Sequence, residues 1–136
     1  MSLKEEFSVA AIVYHKNEYL LLKYGLGHWE FVKGHKEENE SDEQTILREL
    51  EEESSITDAI IIEGFKENYD YYFTFKSQRI HKYVRCYLIK SETKDVKISY
   101  EHEDYIWLPL HEALKKLTFD NAKKLLQKAD KFRKNY

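Results

Sequence analysis

The sequence predicts an α/β domain of the α+β kind, an α/β/α sandwich in which helices cover a sheet. Three observations predict it. Strand-like runs lie on both sides of one strongly patterned helix. The first two runs are separated by a short polar turn, as in an antiparallel hairpin. Helical periodicity returns at the end of the chain. At 136 residues the chain is expected to form one domain, 1–136, large enough to bury a core without staples.

The elements follow in order. Phe7–Tyr14 (FSVAAIVY) reads as a largely buried strand. Tyr19–Tyr24 (YLLLKY) reads as its hairpin partner, with a turn at His15-Lys16-Asn17-Glu18. Gly25 and Gly27 break that strand, Trp29–Lys33 is a short extended piece, and Gly34 is expected to end it. Ser41–Glu53 reads as a helix: Ser41 caps it, Gln44 completes a capping box, and Asp42 and Glu43 sit where the helix dipole favours negative charge. Ser54-Ser55 ends it. Strands are expected around Ala59–Glu63, Tyr69–Phe75 and His81–Ile89, with Lys76-Ser77-Gln78-Arg79 as the turn between the last two. Tyr105–Leu108 is a short strand stopped by Pro109. Helices are expected at His111–Leu117 and at Phe119 to Lys134. The second is capped by Thr118 and turns Ala122, Leu125, Leu126, Ala129 and Phe132 to one side.

Composition narrows the function classes. Charged residues make up 35% of the chain and no apolar run approaches the about 20 residues of a membrane span, so no membrane partner is expected. The N-terminus lacks the apolar stretch of a signal peptide. A single cysteine, Cys86, excludes an internal disulfide and a cysteine-built zinc site, and a cytoplasmic location is expected. The net charge of −3, from 22 basic and 25 acidic residues, argues against indiscriminate nucleic-acid binding. Eleven tyrosines and seven phenylalanines fit either a β-rich core with amphipathic rings at its rim or stacking surfaces for flat ligands.

The chemistry concentrates in Gly34–Ile56, where nine of the 17 residues from Glu37 to Glu53 are acidic. An acidic run can be only a solvated helix face. The spacing here is more demanding. Glu49, Glu52 and Glu53 stand at i, i+3 and i+4, side by side on one patch, where like charges repel. Carboxylate oxygens are the ligands of hard ions such as Mg²⁺ or Mn²⁺. An oxygen-ligated cation with open positions suits metal-assisted chemistry on a phosphate ester or anhydride.

The same stretch resembles the signature of the Nudix hydrolases, G-x5-E-x7-R-E-U-x-E-E-x-G-U with U a bulky aliphatic residue. Gly34, Glu40, Arg48-Glu49-Leu50, Glu52-Glu53 and Ile56 all match at the right spacing. Ser55 stands where the signature has glycine, at a position after the helix that often takes a left-handed conformation. The resemblance implies a mixed central sheet with flanking helices, and Mg²⁺ (or Mn²⁺) held by Glu49, Glu52 and Glu53, joined by the Gly34 carbonyl. It also implies that one of these acids, or a carboxylate from another loop, activates the attacking water. Glu40 and Arg48 would be structural, orienting the helix.

Flanking segments are similar to those of asymmetrical diadenosine tetraphosphate hydrolases within that family: His28-Trp29-Glu30-Phe31-Val32-Lys33-Gly34-His35, Ile61–Lys66 and Ser99–Trp107. Val32 replaces a proline of the first segment, and Glu38-Asn39 stand where a Pro-Gly is usual. Carried over, the resemblance assigns His28, Lys33 and Lys82 to the polyphosphate, Tyr71 and Phe119 to stacking an adenine, and Glu101 to the metal or the water. The implied reaction is hydrolysis of diadenosine tetraphosphate to ATP and AMP. Two alternatives stay open. One is pyrophosphate removal from a nucleoside triphosphate or an RNA 5′ end, with Lys76, Arg79, Lys82 and Arg85 holding the RNA. The other is a non-catalytic nucleotide-binding module.

Overall fold

The computed structural model describes residues 2–135. Seven strands form one sheet: β1 (Lys4–His15), β2 (Glu18–Tyr24), β3 (Trp29–Glu30), β4 (Val32–His35), β5 (Ile60–Phe75), β6 (Gln78–Lys90) and β7 (His102–Leu108). Three helices, α1 (Asp42–Ser54), α2 (Leu110–Lys116) and α3 (Asp120–Lys134), cover it. The sheet runs β3-β2-β1-β6-β5, with β4 also on β1 and β7 also on β2. It is mixed, because β1 and β6 are parallel over eleven residue pairs from Lys4↔Ile80 to Tyr14↔Lys90, whereas the other pairings are antiparallel.

Alternation along the strands sends side chains into two cores. Val9, Ala11 and Val13 of β1 pack with Leu20, Leu22, Ile46, Leu50 and Ile56 beneath α1. Ala10 and Ile12 pack on the other face with Val84, Cys86, Leu88, Ala113, Leu125 and Leu126, beneath α2 and α3. These are the three layers of an α/β/α sandwich. Among the described residues no helix is long and apolar enough to cross a membrane.

Four expectations are corrected. The two strands expected at 59–63 and 69–75 are one long strand, β5, whose register slips between Ile61 and Lys66. Gly64, at φ +96°, supplies the bend that absorbs the slip. The turn after β5 is two residues, Lys76 and Ser77, both left-handed, so Phe75 pairs with Gln78. Gly34 lies inside β4 rather than ending it, paired with Val9. The N-cap of α3 is Phe119, without a side-chain cap. The Thr118 hydroxyl oxygen instead accepts the Trp29 N–H at 2.8 Å, tying the start of α3 to β3.

One feature of the sheet positions the site. β1 pairs with β2 only at Tyr14↔Tyr19 and His15↔Glu18, and the same edge then pairs with β4 from Ala11↔Val32 to Ser8↔His35. The two partners of β1 therefore diverge, and β4 delivers Lys33 and Gly34 against the side of α1.

Candidate active site

Local chemistry fixes α1. The Ser41 Oγ accepts the Gln44 N–H at 3.1 Å, and the Gln44 side-chain oxygen accepts the Ser41 N–H at 2.9 Å, a full capping box. At the other end Ser55 takes the left-handed conformation at φ 64°. Its N–H donates to the Glu51 carbonyl at 2.8 Å and its hydroxyl to the Lys97 carbonyl at 3.1 Å. Serine here thus gains a loop contact that glycine would lack.

Arg48 holds the preceding loop to the helix. Its guanidinium donates two hydrogen bonds to the Glu40 carboxylate, at 2.7 and 2.9 Å, and one to the His35 carbonyl at 3.1 Å. Glu40 also accepts from the Glu37 N–H and the Thr45 hydroxyl. Hydrogen bonds from Arg48 and the Glu37 backbone hold its carboxyl far below the usual range, at about 2. Arg48 reaches Glu49 as well, at 2.8 Å, and Glu52 at 3.3 Å.

Glu49 and Glu53 form the heart of the site. Each carboxyl acts electrostatically on the other. Burial first, and then the neighbouring acid, pushes Glu49 up to about 7; burial does the same for Glu53. Without a cation, both carboxyls therefore take up a proton more readily than exposed glutamates do. Glu53 is 5% exposed, and the nearby Lys33 backbone favours its charged form. The Tyr24 hydroxyl, which donates to the Phe31 carbonyl at 2.7 Å, lies against it. Glu49 presses on Gly34 so closely that a Cβ there would stand 2.0 Å from its Cδ. Glycine is needed at 34 for room, not for an unusual backbone angle.

The remaining expected residues divide. Glu52 lies at the exposed rim, turned to Arg48. Glu101 is exposed on the turn before β7, where its charge acts on Glu53 and His102. As they stand, no three His, Cys, Asp or Glu side chains among the described residues close around one point. The donor set nevertheless fits a hard divalent cation. It is all oxygen and acidic, it surrounds a bare stretch of backbone at Gly34, and the buried Glu53 Oε1 lacks a hydrogen-bond partner.

Beside the acids opens a cleft of about 200 Å³ lined by Glu30, Lys33, Tyr69, Tyr71, Phe119 and Asn121. The Lys33 ammonium lies 5.8 Å over the Tyr71 ring and 3.3 Å from Glu30. Lys82 pairs with Tyr71 across β5 and β6, and burial together with the Lys33 charge lowers its pKa. His28 stacks on Tyr24 at 4.9 Å and touches Phe119 at 5.4 Å. Phe119 is 47% exposed, which excludes the helix-core role common for such a residue. Lys33 and the rings of Tyr69, Tyr71 and Phe119 thus line one cleft, with Lys82 paired to Tyr71 beside it, suited to an anion joined to a flat ring.

The RNA-holding set is not one patch. Lys82 pairs with Tyr71 of this cleft, whereas Arg79 stacks over Tyr72 and Arg85 pairs with Asp42 on the α1 face. A cleft of about 600 Å³ is also on that face and holds none of Glu49, Glu52 and Glu53.

Three residues escaped sequence reasoning. Glu30 is buried and gathers His28 at 3.6 Å and Lys33 at 3.3 Å. Its signal was an acid between two expected phosphate-binding residues. Tyr24 and His102 pack edge to face at 4.6 Å beside Glu53. The only sequence hint for His102 was its place next to Glu101.

Comparison with known proteins agrees with this geometry. A family model described as the NUDIX domain matches residues 4–129. An asymmetrical bis(5′-nucleosyl)-tetraphosphatase from Sus scrofa is 38% identical over 119 residues, spanning 85% of this chain and 80% of that protein. The protein of the same name from Rattus norvegicus is 34% identical over the same shares. The solved structure of a C. elegans Ap4A hydrolase binary complex matches with a TM-score of 0.84 at 28% identity, covering 96% of this chain and 99% of that one. With a family model spanning nearly all of its length, relatives above the 30% level and the same layered fold, the chain belongs to the Nudix hydrolase family.

Proposed function

We propose that residues 1–136 act as one Nudix domain that hydrolyses a phosphoanhydride of a nucleoside polyphosphate, with diadenosine tetraphosphate split to ATP and AMP. The observation that carries this reading is the Glu49–Glu53 pair beside a cleft lined by Lys33, Tyr71 and Phe119, with Lys82 paired to Tyr71. The names of the Sus scrofa and Rattus norvegicus relatives support the substrate.

In this reading Glu49, Glu52 and Glu53, with the Gly34 carbonyl, hold Mg²⁺ or Mn²⁺. The bound cation neutralises phosphate charge and acidifies water. Lys33, Lys82 and His28 hold the polyphosphate, and Glu30 orients Lys33 and His28. Tyr71 and Phe119 take one adenine; each stacked base is worth about 1–3 kcal/mol. Water oxygen bonds to one phosphorus and the bridging oxygen leaves with the other product. The water proton passes to a carboxylate of the Glu49–Glu53 pair or to Glu101 at the mouth. Glu40 and Arg48 keep α1 oriented.

Removal of pyrophosphate from triphosphates would use the same acids. The division of Arg79 and Arg85 from Lys82 speaks against an RNA 5′ end as the main substrate. Retention of all three helix acids speaks against a non-catalytic module. The test is kcat/KM with Mg²⁺ for diadenosine tetraphosphate, a deoxynucleoside triphosphate and a short 5′-triphosphate RNA. The dinucleotide is expected to be preferred; faster pyrophosphate release from either of the others overturns the substrate.

A further inference from the structure

Glu53 is not held by the helix alone. The loop before β7 is stitched to the end of α1: the Lys97 N–H donates to the Ser54 carbonyl at 3.0 Å, and the Ser99 N–H to the Glu53 carbonyl at 3.3 Å. The same loop turns back on itself, His102 N–H to Ser99 carbonyl at 3.1 Å. This folding buries the His102 side chain to 2% exposure against a Glu53 side chain of 6%. Nε2 stands 3.1 Å from Glu53 Oε1. The contact falls short of full hydrogen-bond alignment, and neither atom has another hydrogen-bond partner. Two buried polar atoms that face only each other are costly to leave unpaired.

The other side of the ring settles which atom donates. Nδ1 lies 3.1 Å from the Ser99 hydroxyl, which can donate or accept. An ionised Glu53 can only accept. A neutral imidazole carries one N–H, so placing it on Nε2 satisfies both neighbours, with Ser99 donating to Nδ1. The opposite tautomer would point a lone pair at a carboxylate. Tyr24, edge-on to the ring at 4.6 Å, restrains its rotation.

We propose that His102 is a positioning residue for Glu53: its Nε2–H, with the Ser99 hydroxyl donating to Nδ1, anchors Oε1 and leaves the second carboxylate oxygen aimed at the reaction centre. This rests on the reading of Glu53 given under Proposed function. It adds a hydrogen-bonded support behind the acid, the kind of support that typically changes metal affinity or rate by about 10–100-fold when removed.

The test uses the full chain and three variants. His102→Phe keeps the ring volume and removes the donor. His102→Gln keeps an N–H near the Nε2 position. Ser99→Ala removes the tautomer lock. The readouts are kcat and KM at saturating Mg²⁺, Mn²⁺ affinity of the protein alone by water-proton relaxation, melting temperature, and the ¹⁵N signature of the His102 ring above neutral pH. Wild type is expected to show the Nε2–H tautomer. His102→Phe is expected to lower kcat and weaken Mn²⁺ binding by about tenfold or more, with KM little changed, and His102→Gln to recover most of both. Ser99→Ala is expected to mix the tautomers. An Nδ1–H ring in wild type overturns the proposal. So does a folded His102→Phe protein with wild-type kcat and Mn²⁺ affinity. If His102→Phe does not fold, the wild-type ring signature and His102→Gln, matching wild type or failing to, decide alone. If wild type hydrolyses no nucleoside polyphosphate, the functional reading fails, while the ring signature and Mn²⁺ affinity still test the contact.

Discussion

Gly34→Ala is the sharpest perturbation the structure offers. Gly34 sits in β4 outside the left-handed region, so alanine meets no backbone penalty. The new Cβ would instead meet Glu49, 2.0 Å from Cδ, 2.3 Å from Cγ and 2.4 Å from Oε1. To regain ordinary contact the carboxyl group must retreat by about 1.4 Å. That retreat moves one acid of the pair off the centre. A misplacement of about 1 Å at a reacting centre costs about 10²-fold in rate, or about 2.7 kcal/mol of barrier. Folding should suffer little, because the displaced atoms end a flexible side chain; a melting temperature within about 5 °C of wild type is expected. The assay is steady-state turnover of diadenosine tetraphosphate with Mg²⁺, beside a thermal melt of the same sample. A folded Gly34→Ala enzyme with kcat within about threefold of wild type would refute the claim that Glu49 works from its place against residue 34.

Three other outcomes follow. Glu53→Gln should lower the rate by about 10²-fold or more, as loss of a metal ligand or base does, and an unchanged rate would remove α1 from the chemistry. Lys82→Ala should raise KM for a dinucleoside polyphosphate more than it lowers kcat, and steady-state kinetics showing the opposite split would move Lys82 out of substrate binding. Glu49 and Glu53 are raised in the folded state from 4.5 to about 7, so the folded protein binds more protons than the unfolded chain across that window. Their contribution to stability is complete below about 4.5 and lost as pH rises through about 7. His35 and His102, whose pKa values are lowered, act in the opposite sense, so the pair is read from the difference between metal-free wild type and Glu49→Gln. The melting temperature of wild type relative to the variant should fall from pH 5 to pH 8, and a constant difference would contradict the raised carboxyls.

Much of this site was legible because its determinants are local. The capping box at Ser41 and Gln44, the i, i+3, i+4 acids and the Glu40–Arg48 spacing all lie within one helix and its approach loop, where sequence distance fixes spatial distance. The strands β1 and β2 were legible as continuous apolar runs, and so was the short polar turn that makes them a hairpin. What escaped depends on contacts far apart in the chain. His102 meets Glu53 only because the loop before β7 hydrogen-bonds to the end of α1. Thr118 looked like a helix cap, yet its hydroxyl bonds the backbone of Trp29 instead. The unity of β5 was hidden because the break at Gly64 reads as a strand end, whereas pairing with β6 carries the strand through it. Arg79, Lys82 and Arg85 seemed one basic set along a strand, and the pleat divides them between two faces.

In the proposed reaction these acids and this cleft together direct water onto one end of a dinucleoside polyphosphate. Hydrolysis of diadenosine tetraphosphate in ¹⁸O-labelled water with Mg²⁺, followed by mass analysis of the products, reads out that direction. ATP and AMP are expected in equal amounts, with one label per turnover and little product from Glu53→Gln. ADP as the main product, or no turnover by the folded wild-type protein, would overturn the proposed reaction.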